Sequence, residues 1–223
     1  AGAGRRVAVV ERARFGGTCV NDGCTPTKTL IASAYAAHLA RRAADYGVQI
    51  PGPVGVDMKR VKARKDAVVA KSSQGVQKWM EGLKGGRLYR GHARFVGPKT
   101  LGVGKEEISA EQIFLDVGGR PLVPKMPGIE AVPFLTNQSM MDLDFVPEHL
   151  LVVGGSYVGL EFAQMFRRFG ARVTVIEMGE RLVGREDEDV SLAIQDFLRS
   201  EGIALRLGAQ CLSVRKEGDG LSV

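Results

Sequence analysis

"HLLVVGGSYVGLEFAQMFRRFGARVTVIE", His149 to Glu177, reads as strand, glycine turn, helix, strand and terminal acid. The apolar, β-branched runs at its two ends suit strands buried on both faces. Between them lies an amphipathic helical pattern that stops at a glycine. "DVSLAIQDFLRSEGIALRL" (Asp189–Leu207) then supplies another amphipathic helix and another strand. This alternation calls for an α/β fold with a parallel sheet and helical crossovers.

A dinucleotide-binding turn uses glycines for a tight bend, for backbone approach to a pyrophosphate and for close helix–strand packing. Gly154 and Gly159 fill the first and third places here, and Ser156 stands where the middle glycine would be. Tyr157 follows at the start of the helix. A helix N-terminus at that point offers free N–H groups to a pyrophosphate. Glu177 ends the next strand, where it can accept from both hydroxyls of an adenosine ribose and repel a 2′-phosphate. NAD(P)H is therefore the expected ligand, with NADH preferred, although Arg181 lies close enough to bear on the choice.

The first half repeats the theme with a gap. "RVAVVE" (Arg6–Glu11) reads as a buried parallel strand ending in an acid, so Glu11 is a second candidate ribose ligand. Its glycine turn belongs roughly 20 residues upstream, which this chain does not reach. "AGAG" at the start reads as the tail of a helix, and the whole is expected to be a fragment truncated at both ends. A helix is predicted over Pro26–Tyr46, with Thr25 as its N-cap and Gly47 as its stop. A second helix is predicted over Asp57–Leu83. Strands Arg87–Phe95, Thr100–Gly104, Glu107–Ser109 and Gln112–Val117 follow as a β-meander. Proline and glycine across Gly118–Phe134 mark a connection, which places two Rossmann-like domains at 1–122 and 123–223.

Bulk properties exclude several classes. The chain has 223 residues, 44% of them hydrophobic, and a formal charge of +6. No run approaches the roughly 18 apolar residues of a membrane span, and the opening residues do not show a cationic–apolar–small signal-peptide pattern. Lys59, Arg60, Lys62, Arg64, Lys65, Lys71 and Lys78 fall on a predicted helix as a solvated face. Aromatic residues are not interleaved with them, so no nucleic-acid partner is expected. A small-molecule substrate and a cytoplasmic setting are.

Two of the three cysteines stand five residues apart in "GGTCVNDGCTPTK" (Gly16–Lys28). A zinc site would need a second pair of ligands; Cys211 is alone and His38, His92 and His149 are scattered, so no metal is expected. A structural disulfide would close a tiny loop of little stabilising value. A redox dithiol fits better. Cys24 would open a helix, where the dipole favours a thiolate, and Lys28 would lie at i+4 on the same face. Cys211 reads as a plain buried thiol on a strand.

"GGTCVNDGCTPTK" resembles the redox-active disulfide motif of the FAD-dependent pyridine nucleotide–disulfide reductases, and "CTPTKTLIASA" is closest in wording to their mercuric-reductase-like members. "RVAVVE" is similar to the second strand of their FAD domain, and "GHARF" (Gly91–Phe95) to its flavin-contacting segment. "DVGGRP" (Asp116–Pro121) is similar to their ATGxxP-type motif, with Asp116 and Val117 in place of Ala-Thr. The resemblance implies that Cys24 is the flavin-proximal, charge-transfer sulfur and Cys19 the interchange sulfur. It implies that Lys28 lies beside the reactive flavin nitrogen and pairs with Glu161, and that Tyr157 covers the nicotinamide pocket. Gly17, Thr18, Gly23, Gly91, His92, Ala93, Gly118 and Gly119 are implied on the FAD side. Gly154, Ser156, Gly159 and Glu177 are implied on the nucleotide side. A homodimer is implied for the full-length protein, with an interface domain and its acid/base His–Glu pair beyond this chain. The implied function is transfer of electrons from NAD(P)H through FAD to a Cys19–Cys24 disulfide, and on to a disulfide or mercuric ion. The chain alone is expected to be inactive. The competing expectation is a truncated, redox-inert nucleotide-binding protein.

Overall fold

A computed structural model describes residues 4–218 and 220–223. The predicted helix tail at the N-terminus falls mostly on Ala1–Ala3, outside the described residues. The chain divides into two compact units, one formed by the chain up to Pro26 with Asp66–Arg120, the other by Thr27–Lys65 with Pro121–Val223. The predicted partition at residue 122 differs from this by the segment Thr27–Lys65.

The first unit holds strand β1 (Val7–Glu11), the short helix α1 (Gly17–Asn21) and the start of helix α2 (Cys24–Arg41). It also holds the later part of helix α3 (Met58–Glu81) and strands β2 (Gly86–Arg90), β3 (Ala93–Gly97), β4 (Thr100–Val103) and β5 (Glu106–Ser109). β1 pairs in parallel with β2, Val9 opposite Leu88. β3, β4 and β5 form the expected antiparallel meander, with a bulge between Phe95 and Gly97.

Several expectations are corrected here. β1 is only half-buried, with Val7 39% exposed. The predicted strand Arg87–Phe95 is two strands in two sheets. The ladder ends where the Gly91 N–H reaches the Glu11 carbonyl at 3.1 Å, and Gly91 (φ 153) then redirects the chain. Residues 112–117 form no strand. Phe114 and Val117 are 82% and 86% exposed, so this apolar run has neither a ladder partner nor a covering layer among the described residues. Helix α2 starts at Cys24, so Thr25 is inside it rather than capping it, and Pro26 still falls in the first turn, where its missing N–H costs nothing. After Arg41 the chain tightens into a 3₁₀ turn, Ala43–Tyr46, that closes at Gly47 as anticipated. Cys211 lies in irregular chain, half-buried, not on a strand.

The second unit carries β6 (His149–Val153), α4 (Tyr157–Phe169), β7 (Arg172–Ile176), α5 (Glu188–Ser200) and β8 (Ala204–Arg206). The three strands form one parallel sheet in the order β6-β7-β8, Val152 opposite Val175 and Val175 opposite Leu205. A small antiparallel ribbon of β9 (Arg215–Glu217) and β10 (Gly220–Ser222) follows. α4 turns Leu160, Ala163 and Phe166 inward at three-residue spacing, with Phe162, Met165 and Phe169 beside them. They join Val173, Val175, Leu182 and Leu198 in one core, to which Leu30 and Ala34 of α2 and Met58 of α3 also belong. Burial of each large side chain contributes about 1.5–3 kcal/mol. On the basic face of α3, Lys59, Arg60, Arg64, Lys71 and Lys78 are exposed, whereas Lys62 is half-buried and Lys65 is buried. Lys65 is 4% exposed and donates from Nζ to the Met141 carbonyl at 2.8 Å, which corrects the reading of that residue as surface.

Candidate redox and nucleotide site

The nucleotide turn is built between β6 and α4. Gly154 takes φ 108, a left-handed conformation that a side chain would strain, and Ser156 (φ −94, ψ 170) stands at the N-cap of α4. A Cβ at Gly159 would lie 2.6 Å from the Gly154 oxygen and 3.1 Å from Val152 Cγ1, so this glycine lets helix and strand close up. Beside Gly154 no atom lies within 4 Å of where a Cβ would sit. The backbone is open there to a ligand, as a pyrophosphate at a helix N-terminus requires. Glu177, directly after β7, is already engaged. Its Oε2 accepts from the Gly155 N–H at 2.5 Å and its Oε1 from the Gly179 N–H at 2.7 Å. A carboxylate has about four lone-pair sites, so two remain for ribose hydroxyls.

Tyr157 is the first residue of α4 and is 71% exposed. Glu161, one turn further along the same face, accepts a hydrogen bond from Lys28 Nζ. The implied Lys28–Glu161 pair is therefore present in the structure.

In the first unit, Gly16 (φ 104) caps α1, whose residues include Gly17, Thr18 and Cys19. Gly23 follows, with room for a Cβ only at 3.0 Å from the Thr18 oxygen. Cys24 is the first residue of α2, and Lys28 stands one turn along that helix. Cys19 and Cys24 are both exposed and stand as free thiols. The Cys19 thiol is held above its ordinary pKa, first by its hydrogen bond to Cys24, then by lost solvation and by the charge of Cys24. Gly17 (φ 61) has nothing within 4 Å of its missing Cβ, an open backbone face suited to a flat ring.

Glu11 repeats the geometry of Glu177. Its Oε1 accepts from the N–H two residues on, Ala13, at 2.8 Å. Gly91 is tied to the Glu11 carbonyl, and His92 Nδ1 lies 3.5 Å from the Arg12 guanidinium, so the segment Gly91–Ala93 sits at the end of β1. Gly118 and Gly119 lie in exposed irregular chain and make no hydrogen bond to these residues among those described.

Sequence reasoning assigned no role to three residues that shape the site. Asn21, 5% exposed, donates from Nδ2 to the carbonyls of Phe15 (3.0 Å) and Gly17 (2.9 Å), and holds the turn that carries Cys19. Its Oδ1 is buried and has no hydrogen-bond partner among the described residues. Ser73 of α3 donates to the same Phe15 carbonyl at 2.7 Å. A Cβ at Gly155 would lie 2.5 Å from Leu182 Cδ2 and 3.0 Å from Glu177 Oε2, so either neighbour would have to shift to admit one. The asparagine within the cysteine motif was visible in sequence only as a residue type that often bonds nearby backbone groups; its burial was not.

Residues 1–223 match the family described as pyridine nucleotide-disulphide oxidoreductase. The chain is 37% identical to a mercuric reductase of Streptomyces lividans over 98% of its own length and 47% of that protein's. It is 34% identical to a dihydrolipoyl dehydrogenase of Bacillus subtilis (strain 168) over 99% of its own length and 49% of that protein's. Among solved structures it is similar to the HOCl-induced flavoprotein disulfide reductase RclA from Escherichia coli, at a TM-score of 0.84 and 32% identity, covering 99% of this chain and 47% of that one. The chain thus spans about half the length of the curated relatives it matches. With its parallel Rossmann-like sheet, its glycine turn and its paired cysteines, this chain belongs to the pyridine nucleotide-disulphide oxidoreductases.

Proposed function

We propose that this chain carries the electron path of a flavoprotein reductase, from NAD(P)H, with NADH preferred, to the Cys19–Cys24 pair and on to a disulfide or mercuric-ion substrate. In this reading residues 1–122 serve FAD and residues 123–223 serve the nicotinamide nucleotide, and the protein works as a cytoplasmic homodimer. The observation that carries the reading is the cysteine pair itself. Cys24 opens an 18-residue helix, Cys19 stands exposed beside it, and the Cys19 thiol is held up in pKa by its partner.

FAD, when bound, supplies the two-electron step between nicotinamide and disulfide. Glu11, Gly17, Thr18, Gly23, Gly91, His92, Ala93, Gly118 and Gly119 would hold it. Two electrons and one proton break the Cys19–Cys24 S–S bond and leave one thiol and one thiolate. In this reading the thiolate rests on Cys24, the first residue of α2, where the helix dipole favours an anion. Cys19 keeps the proton and faces the substrate. It reacts as its thiolate, so its proton must leave at the moment of exchange. Lys28 supplies a positive charge one turn from Cys24, and Glu161 balances that charge. Tyr157 shields the nicotinamide position at the head of α4, whose N-terminal N–H groups take the pyrophosphate.

The test is spectroscopic and kinetic. The purified full-length protein should be yellow, oxidise NADH faster than NADPH, and reduce either a small disulfide or mercuric ion. Glu177→Arg should move the donor preference towards NADPH by about tenfold to a hundredfold, since a charged hydrogen bond is lost on one side and gained on the other. A colourless protein with no donor oxidation would overturn the reading in favour of a redox-inert nucleotide binder.

A further inference from the structure

Ser191 is fully buried on α5, away from the nucleotide turn in sequence, yet it ends a chain of hydrogen bonds that runs to that turn. Its Oγ–H donates to the Leu182 carbonyl at 2.6 Å. The same peptide group donates its N–H, that of Val183, to the Gly155 carbonyl at 2.9 Å. The peptide joining Gly155 to Ser156 is trans, so its N–H points opposite to its carbonyl. That N–H belongs to the N-cap residue of α4 and has no acceptor among the described residues. Behind Ser191, Gln195, 3% exposed, donates to the Ser191 carbonyl at 3.2 Å and approaches its Oγ at 3.5 Å. Gln195 thereby directs the hydroxyl proton towards Leu182.

Two further observations show that this arrangement is imposed rather than relaxed. Val183 is the one non-glycine residue at positive φ (44°) among those described. A β-branched residue in that region persists only where its surroundings over-determine it. Leu182 is fully buried against the space where a Gly155 Cβ would be, so the strand-to-helix turn and the Leu182–Val183 peptide cannot move apart independently.

We propose that Ser191 is a positioning residue for the dinucleotide's pyrophosphate. Through the 182–183 and 155–156 peptides it orients the Ser156 N–H outward and polarises it, because successive hydrogen bonds in a low-dielectric interior strengthen one another. The proposal rests on the nucleotide reading given above.

Calorimetric titration of the full-length holoenzyme with ADP-ribose, which contains the pyrophosphate, and with adenosine, which lacks it, tests the proposal. Ser191→Ala should weaken ADP-ribose by about three- to tenfold, the worth of a neutral hydrogen bond, and leave adenosine within about twofold. Ser191→Cys, close in size and with a weaker donor, should fall between the two. Parallel weakening of both ligands would make Ser191 a merely structural residue and overturn the proposal, as would unchanged ADP-ribose affinity in Ser191→Ala. If the unmodified holoenzyme binds no ADP-ribose, the nucleotide reading itself fails and the proposal with it.

Discussion

Lys28 Nζ donates to Glu161 Oε1 across 133 residues of sequence, joining the first turns of α2 to the first half of α4. The side chains are 62% and 32% exposed. An ion pair so open to solvent contributes about 0–1 kcal/mol to stability. In the proposed function its value lies in holding a cation one turn from Cys24. Glu161→Gln should therefore leave the unfolding midpoint nearly unchanged and lower kcat by about tenfold, the worth of a charged hydrogen bond. Denaturant unfolding and steady-state rates measured on one preparation decide it. A large stability loss with intact turnover would assign the pair to the fold alone.

The Cys19 thiol owes its raised pKa first to its hydrogen bond with Cys24. Replacing Cys24 with alanine removes that bond and the neighbouring charge together. The pH profile for alkylation of Cys19 in the reduced protein should then move down, towards that of a free cysteine. Iodoacetamide labelling at a series of pH values, read by mass spectrometry, measures this. An upward move or no move would mean that another group holds the proton.

Glycine requirements at the turn differ sharply from those elsewhere. Gly159→Ala places a methyl 2.6 Å from the Gly154 oxygen, and Gly155→Ala places one 2.5 Å from Leu182 Cδ2. Each should cost about 2 kcal/mol, within the range for overpacking a tight site. Gly55→Ala, with nothing within 4 Å and no positive φ, should be neutral or slightly stabilising through the unfolded chain. Equal effects at all three positions in urea titrations would contradict the packing argument.

Acid should weaken the fold before it reaches the carboxylate range. Burial, followed by the charge of Arg168, lowers the pKa of His38; burial, followed by Arg172, lowers that of His149. Both therefore bind a proton less readily in the folded chain than in the unfolded one, and stability is lost as pH falls below their ordinary value of about 6.5. Burial raises Glu201, but the hydrogen bonds and charge of Arg168 outweigh it and leave its pKa lowered, which extends the loss to lower pH. Thermal midpoints should fall between pH 7 and pH 5, and His38→Gln should flatten part of that slope. A midpoint that rose on acidification would reverse the sign assigned to both histidines.

The stretch His149–Glu177 was legible because its hydrophobic period changes from strand to helix and back within thirty residues, and glycines mark both changes. The meander was legible from its turns. What escaped depends on distant partners. Nothing around Lys65 in sequence says that the Met141 carbonyl waits for it. The apolar run at 112–117 has the composition of a strand, but strand formation is decided by a neighbour to pair with. For the candidate site, residue types and spacing alone singled out Cys19, Cys24, Lys28 and Glu177. The hold of Glu177 on Gly155 and the buried Asn21 did not show, because both arise from how a loop folds back on itself.

Glu11 and Glu177 share a small device: each carboxylate accepts the N–H two residues further along its own chain. The rotamers of both acids are therefore fixed during folding and not at the moment a hydroxyl arrives. Immobilising a free glutamate on association would cost about 0.5–1.5 kcal/mol of entropy. If that cost is met during folding, the ribose binding proposed for either acid should show a small entropic penalty in calorimetry. Differences in nucleotide affinity between variants of these turns should then appear in the heat of binding.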